Sequence, residues 1–200
     1  MLKKHITKYL AAKQKTKNNC LKPFDRVKFI KNISHSQFEL FFDYTKYYCD
    51  TILWDNIQRD IILSLASDYT IVVHLDAYQT DTSITELDNK IGELYPCIKN
   101  DKGEYFIEIM PQDLRLLTEI KNDPLLWECG NVLHIAAFKE KKPQYTNESI
   151  FDDAEFVIHS IYDNNGFVIN VRDIEQYGKM IETKVKYVLD NYHILMEGDL

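Results

Sequence analysis

The chain has 200 residues, with only six Gly and five Pro, which suits one well-packed domain and argues against long disordered linkers. No apolar run approaches 18 residues, so we expect no membrane span, and lysines interrupt residues 1–19 where a secretory signal needs an apolar core. The net charge of −7 hides an asymmetry: residues 1–31 hold ten basic side chains and one acidic one, whereas residues 32–200 hold 14 basic and 30 acidic.

This asymmetry predicts a basic N-terminal helix or arm over residues 1–31, followed by a single α+β domain over residues 32–200. An acidic body repels nucleic acid and attracts cationic partners, so nucleic-acid binding is expected only through the segment from Lys3 to Lys31. The four cysteines contain no Cys-x-x-Cys pair, which indicates reduced thiols in a cytoplasmic protein.

The domain is predicted to begin with two helices. Ser36-Gln37-Phe38-Glu39 has the form of a capping box, and aromatic residues follow it at helical spacing up to about Cys49. A second helix is predicted over residues 51–66, because four apolar side chains recur at i+3 and i+4: Trp54, Ile57, Ile61 and Leu65.

Strands and helices then alternate along the chain. β-branched and aromatic runs predict strands over residues 69–78, 104–110 and 131–138. Between them, a second capping box predicts a helix from residue 83 to Pro96, and spaced leucines predict another over 111–120. A short helical turn is predicted at 125–128, after Asn122-Asp123-Pro124.

The clearest local signal is a hairpin between residues 155 and 171, with Asp163-Asn164-Asn165-Gly166 as its turn. Gly166 is expected to adopt a positive φ there. A long amphipathic helix follows over about 173–192. The order of elements predicts an α+β fold with a single mixed, largely antiparallel sheet of about five strands and helices packed on it.

At this hairpin and helix the chain resembles an uncharacterised family of bacterial cytosolic proteins, whose recurrent element reads approximately Met/Ile-Tyr-Asp-Asp-Arg-Gly-x-Asp. Asn165 replaces the Arg of that family and Val168 its second Asp, so any activity carried by those charges is not expected here. The resemblance spans about 40 residues and implies a fold and a bacterial origin, but no activity. The matching residues are Ile161, Tyr162, Asp163, Gly166, Tyr177 and the run Tyr187-Val188-Leu189-Asp190.

Three histidines fall within predicted strands: His74, His134 and His159. Asp76 follows His74 by two residues and therefore shares its face of the strand. If neighbouring strands align these four side chains, they could form a Zn or non-haem Fe site. The alternative is that each histidine is a half-buried strand residue with a hydrogen-bonded ring, and the unrelated spacings favour this alternative.

A second candidate site is an acidic surface rich in tyrosine. Tyr44 and Tyr47 are expected near the surface of the first helix of the domain, and Asp152, Asp153 and Glu155 precede the hairpin. Surfaces of this composition suit protein–protein contacts, in which aromatic side chains act as anchors. Plain solvated faces and a wide buried aromatic stripe are the competing interpretations.

The chain contains none of the common catalytic or nucleotide-binding motifs: Gly-x-Gly-x-x-Gly, Gly-Lys-Ser/Thr, Gly-x-Ser-x-Gly or His-Glu-x-x-His. The leading hypothesis is therefore a non-enzymatic, cytoplasmic protein-binding protein without a cofactor. In its sharpest form, this is an immunity-type protein that neutralises a cationic toxin. One alternative is a hydrolase or metal-dependent enzyme that uses the strand histidines, and another is a nucleic-acid or anionic-surface binder that uses the basic arm.

Overall fold

The computed structural model describes residues 22–43, 47–48, 51–75, 91, 97–100, 103–122, 132–139, 152–160 and 166–198. In these residues, three α-helices have defined bounds: α1 (Thr51–Ala66), α2 (Arg115–Lys121) and α3 (Ile174–Asn191). The strands are β1 (Lys22–Pro23), β2 (Arg26–Asn32), β3 (Gln37–Phe41), β4 (Tyr47–Tyr48), β5 (Thr70–Leu75), β6 (Cys97–Lys99), β7 (Tyr105–Ile109), β8 (Val132–Phe138), β9 (Phe156–Ser160), β10 (Gly166–Val171) and β11 (Leu195–Glu197).

Nine of these strands form one mixed sheet in the order β11-β2-β3-β10-β9-β8-β5-β7-β6. Every neighbouring pair is antiparallel except β11 with β2, which run parallel. The α+β class is confirmed, but the prediction of about five strands is wrong. Strands of three residues, such as β6 and β11, are too short to show a hydrophobic period in the sequence.

Helices cover one face of this sheet. α1 packs against both α2 and α3, and the apolar stripe predicted on α1 is almost fully buried, with Trp54 at 3% exposure and Ile57, Ile61 and Leu65 at 0%. α3 begins with Asp173 as its N-cap and buries Ile181, Val185 and Val188. Burying a large apolar side chain stabilises the fold by about 1.5–3 kcal/mol, so these stripes fix the helices on the sheet.

The other face of the sheet carries a second, smaller apolar cluster, formed by Val72, Phe106, Ala136, Phe138, Ala154 and Val157. These side chains are buried, with Val72 and Ala136 at 0% exposure. Because side chains alternate along a strand, the two clusters share strands but point to opposite faces. We call this second side the histidine face, for the residues described below.

The first helix predicted in the domain is wrong where the structure describes it. Residues 37–41 form β3, in which Phe38 and Leu40 are buried while Gln37, Glu39 and Phe41 are partly exposed. That period of two, together with a hairpin to β2 through Ser36 at a φ of 49°, overrides the capping-box signal. Tyr47–Tyr48 form β4, which pairs in parallel with β1.

The predicted hairpin is confirmed as the antiparallel pair β9–β10, with Ser160 opposite Phe167. The expected positive φ at Gly166 is wrong, because Gly166 is the first residue of β10 and lies opposite Phe41. A Cβ at Gly166 would collide with the carbonyl oxygen of Leu40 and lie 2.9 Å from its carbonyl carbon. Close approach to β3 therefore requires glycine at this position.

Several predictions lie outside the described residues. They are the helix near the N-terminus, the turn at residues 161–165, the helical turn at 125–128 and the side chains of Tyr44, Tyr47 and Asp76. Of the helix predicted from residue 83, only Ile91 is described, and it is helical and fully buried.

Candidate functional site: a histidine row and an acidic rim

Three adjacent strands bring the strand histidines into one row. His74 on β5 lies directly opposite His134 on β8, and His134 lies opposite His159 on β9. Since residues opposite each other in an antiparallel pair share a face, all three imidazoles project from the histidine face. We call these three residues the histidine row.

The rings of the histidine row are in contact. The centroids of His134 and His159 lie 4.5 Å apart at an interplanar angle of 75°, an edge-to-face arrangement. Those of His74 and His134 lie 5.4 Å apart, and His74 stacks on Phe106 at 4.7 Å with its ring nearly parallel. His74 is only 3% exposed, so the row runs from the interior of this face towards its half-buried part at His159.

A carboxylate lies at the buried end of the row. Glu104 Oε1 is 3.8 Å from His74 Nε2, which makes an ion pair if that ring is protonated. Asn100 holds the carboxylate in place: its side-chain amide donates to Glu104 Oε2 at 2.6 Å, and its own Oδ1 accepts from the Glu104 backbone N–H at 3.0 Å. Gly103, at a φ of 84°, closes the turn that brings Asn100 and Glu104 together.

At the other end of the row, the ring of His159 contacts the side-chain amide of Asn170. Asn170 Nδ2 lies 2.9 Å from His159 Nε2, so the Asn170 amide donates when this ring nitrogen is unprotonated. Burial, followed by the electrostatic influence of His134, lowers the pKa of His159 from 6.5 to about 4. His159 is therefore a neutral ring at pH 7, and its buried edge packs as an aromatic side chain.

A metal ion is not well matched by this row. Among the described residues, no group of three His, Cys, Asp or Glu side chains is arranged to hold one. Asp76, the fourth residue of the predicted metal site, lies outside the described part of the chain.

The three acidic residues of the predicted partner-binding site lie at one end of the nine-stranded sheet, whereas Tyr47 lies in β4, which belongs to the separate two-stranded sheet with β1. Asp152 and Asp153 are exposed in a short turn just before β9. Asp173 and Glu175 are exposed just after β10, and the two strands are in register there because Val171 lies opposite Phe156. Asp113 is exposed beyond β7, at the same end, since Ile109 of β7 lies opposite Ile71 near the start of β5.

Hydrogen bonds make this end of the sheet a continuous strip. The backbone N–H of Val171 donates to the carbonyl oxygen of Ser36 at 2.8 Å, and that of Arg172 donates to the carbonyl oxygen of Glu155 at 2.9 Å. Glu155 in turn donates its backbone N–H to Ala137 at 2.9 Å. We call the strip the acidic rim, because in the described residues it holds seven carboxylates against four basic side chains. The carboxylates are Asp68, Asp113, Asp152, Asp153, Glu155, Asp173 and Glu175, and the basic residues are Arg115, Lys139, Arg172 and Lys184, which pairs with Asp68.

The residues of the acidic rim differ in how exposed they are and in the groups they bind. Glu155 is half-buried, and its Oε2 accepts from the backbone N–H of Lys139 at 3.1 Å, so its role is largely to tie β8 to β9. Asp68 is paired with Lys184 at 2.8 Å. Asp152 and Asp153 keep exposed carboxylates. Two exposed apolar side chains lie on the rim as well, Ile33 at 69% and Met110 at 39% exposure.

Sequence reasoning missed Glu104, Asn100 and Asn170, which flank the histidine row. Glu104 lies just before β7 on the same face as buried Phe106, and its proximity to His74 depends on the pairing of β5 with β7. Sequence reasoning also missed Asp113, Asp173 and Glu175 on the acidic rim. The available signal was that each follows the end of a strand, but without the strand order nothing showed that those ends coincide.

Comparison with known proteins gives no relative: no family model, no curated protein and no solved structure matches this chain. None of the described helices combines the length and the apolar character needed to cross a membrane.

Proposed function

We propose that this chain is a non-enzymatic protein-binding protein that docks a cationic protein on its acidic rim. The continuity of the rim supports this proposal most directly. Backbone hydrogen bonds from Val171 to Ser36, from Arg172 to Glu155 and from Glu155 to Ala137 hold four strand ends in a fixed strip. A preorganised surface loses little conformational entropy on binding, which favours affinity.

The charged and apolar side chains of the rim fit a basic partner. Exposed carboxylates at Asp152 and Asp153 supply long-range attraction, which raises association rates. The exposed side chain of Ile33 supplies an apolar contact at one end of the strip, and that of Met110 does so at the other.

Charge reversal tests the proposal. We expect the double variant D152K/D153K to fold normally, because both residues are exposed and lie before β9. Affinity capture from the native host should lose a basic protein that the wild-type chain retains. With that partner purified, the association rate should fall by roughly tenfold in the variant, and the wild-type rate should fall as salt shortens the screening length to about 8 Å.

Asp190 supplies a matched control. Asp190→Lys reverses one carboxylate at an exposed residue of α3, so its charge change matches that of Asp152→Lys alone and is half that of D152K/D153K. It lies 17 residues along the chain from Asp173, hence about 25 Å from that end of the rim at 1.5 Å per residue. We expect this variant to retain the partner. Equal retention by D152K/D153K, or retention of RNA in place of a protein, would rule out docking on the acidic rim.

The sharpest form of the proposal is an immunity-type protein, with a toxin as the cationic partner. If so, expression of the captured protein alone should stop growth of a bacterial host, and co-expression of this chain should restore it. Co-expression of D152K/D153K should fail to do so. A captured partner that has no effect on growth would limit the proposal to protein binding.

The alignment of the histidine row favours a second candidate, a hydrolase or metal-dependent enzyme. Its support is that His74, His134 and His159 share one face in register and that Glu104 lies 3.8 Å from His74. Elemental analysis of the purified chain tests this candidate. About one Zn or Fe per chain, lost in His134→Ala, would favour the enzyme over the binding protein.

A further inference from the structure

The turn between β2 and β3 exposes an isoleucine at its tip. Ile33 is 69% exposed, and no large apolar side chain in the described residues is more exposed. Ser34 and His35 follow it and are also exposed. We call residues 33–35 the hairpin tip. A single exposed apolar side chain is common on protein surfaces, so the significance of Ile33 depends on how the turn around it is built.

One side-chain oxygen organises the hairpin tip. Asn32 Oδ1 accepts from Ser34 Oγ at 2.8 Å and from the backbone N–H of His35 at 3.3 Å, and it lies 3.0 Å from His35 Nδ1. Ser34 Oγ and His35 Nδ1 are themselves 2.9 Å apart. The polar side chains of the tip therefore bind within the turn, whereas the side chain of Ile33 remains exposed to solvent.

The end of the turn is held in a strained conformation. Ser36 has a φ of 49° and a ψ of 49°, in the left-handed region that residues other than Gly and Asn rarely adopt. Its backbone N–H donates to the carbonyl oxygen of Ile33 at 3.2 Å, and its own carbonyl oxygen accepts from the backbone N–H of Val171 at 2.8 Å. Strain of this kind persists only where surrounding contacts enforce it, and it recurs at binding sites. The turn therefore holds Ile33 in a fixed position.

Carboxylates lie beside the hairpin tip. β10 ends at Val171, which is bonded to the turn, and Asp173 and Glu175 are exposed just beyond it. Arg172 lies between them and Val171 in the sequence, but its Nη1 is directed to the carbonyl oxygen of Asp153 at 3.5 Å, on the β9 side of β10. A partner that covers Ile33 therefore meets negative charge next to an apolar side chain.

We propose that Ile33 is the anchor residue of the acidic rim, and that it enters a closed apolar pocket on the cationic partner whose mouth is bordered by Lys or Arg side chains. This inference rests on the proposed function and names the feature of the partner that the rim recognises. An apolar anchor contributes most when a pocket desolvates it fully, and a side chain held in a fixed position loses little entropy on binding. Basic side chains at the mouth of the pocket pair with Asp173 and Glu175. The carboxylates then govern the association rate, whereas Ile33 governs the dissociation rate.

Binding kinetics with the protein that the wild-type chain captures test the anchor. Ile33→Ser should fold normally, because Ile33 is exposed, and should raise the dissociation rate by roughly 10- to 100-fold with little change in association. Ile33→Val removes one methyl group and should raise the dissociation rate by less than Ile33→Ser does. Ile52→Ser is the matched control, since Ile52 of α1 is also 69% exposed, and both of its rates should match those of the wild type.

The outcomes separate the anchor from the rim. A wild-type dissociation rate in Ile33→Ser, together with slow association of D152K/D153K, would overturn the anchor and leave docking on the acidic rim intact. Unchanged rates in both variants would overturn both proposals, as would the absence of any protein partner.

The fixed position of the hairpin tip is tested without a partner. NMR order parameters of residues 33–35 should be about 0.85, as in a rigid backbone, and a value below about 0.6 would refute a fixed anchor. Asn32→Ala removes the shared acceptor, so it should lower these order parameters and speed dissociation of the partner, although Ile33 is unchanged. Asn32→Asp retains an acceptor oxygen and should restore both properties.

Discussion

The ammonium group of Lys184 donates to the carbonyl oxygen of Ser64 at 2.8 Å, which joins the middle of α3 to the last turn of α1. The same nitrogen donates to Ser67 Oγ and to Asp68 Oδ2, each at 2.8 Å. Its three N–H donors therefore match three acceptors, one of them a carbonyl left open at a helix end. A positive charge at a helix C-terminus also interacts favourably with the helix dipole.

We expect Lys184→Met to lower the free energy of unfolding by about 1–3 kcal/mol, because the apolar stem is kept while the hydrogen bonds are lost. Lys186→Met is the control, since Lys186 is exposed on the same helix and should change stability by less than about 0.5 kcal/mol. Urea denaturation measures both. Equal midpoints for the two variants would show that Lys184 contributes no more than an ordinary surface lysine.

The pairing with Lys184 lowers the pKa of Asp68, first through their hydrogen bond and then through charge attraction. A carboxylate with a lowered pKa stabilises the fold above its unfolded pKa of 3.8, and this contribution is lost as the pH falls through the lowered value. Asp68 is 73% exposed, so the effect is small. The free energy of unfolding should therefore differ slightly less between pH 6 and pH 3 in Asp68→Asn than in the wild type. A larger difference in the variant would contradict a lowered pKa of Asp68.

Replacing either of two buried glycines by Ala should change the stability of the protein in opposite directions. Gly166→Ala places a Cβ against the backbone of Leu40, which cannot move without opening the β3–β10 pair, so we expect a loss of 2 kcal/mol or more. Gly178→Ala places a Cβ 3.3 Å from Cζ of the buried Phe38, which must shift by only a few tenths of an ångström, and the substitution gains about 1 kcal/mol of helix propensity. Thermal or urea unfolding that ranks Gly178→Ala as the more damaging change would contradict this reading.

Asp173 belongs both to the acidic rim and to α3, and two substitutions separate its roles. Its Oδ1 accepts from the backbone N–H groups of Glu175 and Gln176, each at 3.0 Å. Asp173→Asn keeps the cap and removes the charge, so we expect unchanged stability but slower association with a cationic partner. Asp173→Ala should in addition cost about 1 kcal/mol of stability. A loss of stability in Asp173→Asn equal to that in Asp173→Ala would mean that the charge, not the cap, stabilises α3.

Tyr192 donates its hydroxyl to Asp60 Oδ2 at 2.6 Å, and burial followed by this bond raises its pKa from 10 to about 12. The neutral phenol is favoured in the folded state, so its contribution is present below pH 10 and is lost as the pH rises towards 12. We expect Tyr192→Phe to destabilise the protein by about 1–2 kcal/mol at pH 8 and by less at pH 11. Tyr187→Phe, at an exposed tyrosine, is the control, and a deficit of Tyr192→Phe that does not shrink at pH 11 would contradict the bond.

The elements that the sequence predicted well are the long helices, in which a pattern of apolar and polar residues repeats several times. The predicted span of 51–66 coincides with α1, and that of about 173–192 includes α3 together with its capping residues Asp173 and Tyr192. In both helices, four or more apolar residues recur at helical spacing, so one atypical residue does not change the prediction. The sequence did not predict β3, because a strand of five residues offers only two inward positions, Phe38 and Leu40. The capping-box pattern over the same residues indicated a helix instead.

The candidate sites were harder to predict, because they depend on which strands are neighbours. Alternation placed His74, His134 and His159 within strands, but only the order β9-β8-β5 and its register bring them into one row. The sequence spacings of 60 and 25 residues contain no information about that order. For the same reason Asp152 and Asp153 were identified as an acidic pair, whereas their continuity with Asp173 and Asp113 was not.

Pairing of β3 with β10 means that the sheet cannot be assembled in the order in which the chain is synthesised. Phe38 of β3 pairs with Ile169 of β10, which is synthesised 131 residues later. Until then the β2–β3 hairpin leaves the ribosome with one edge of β3 exposed, and such edges recruit other chains. We expect nascent chains stalled near residue 122 to bind chaperones at this hairpin, and release of the chaperone to follow emergence of β10. Protease resistance of residues 26–41 in the stalled chain would show that the hairpin is protected earlier by other means.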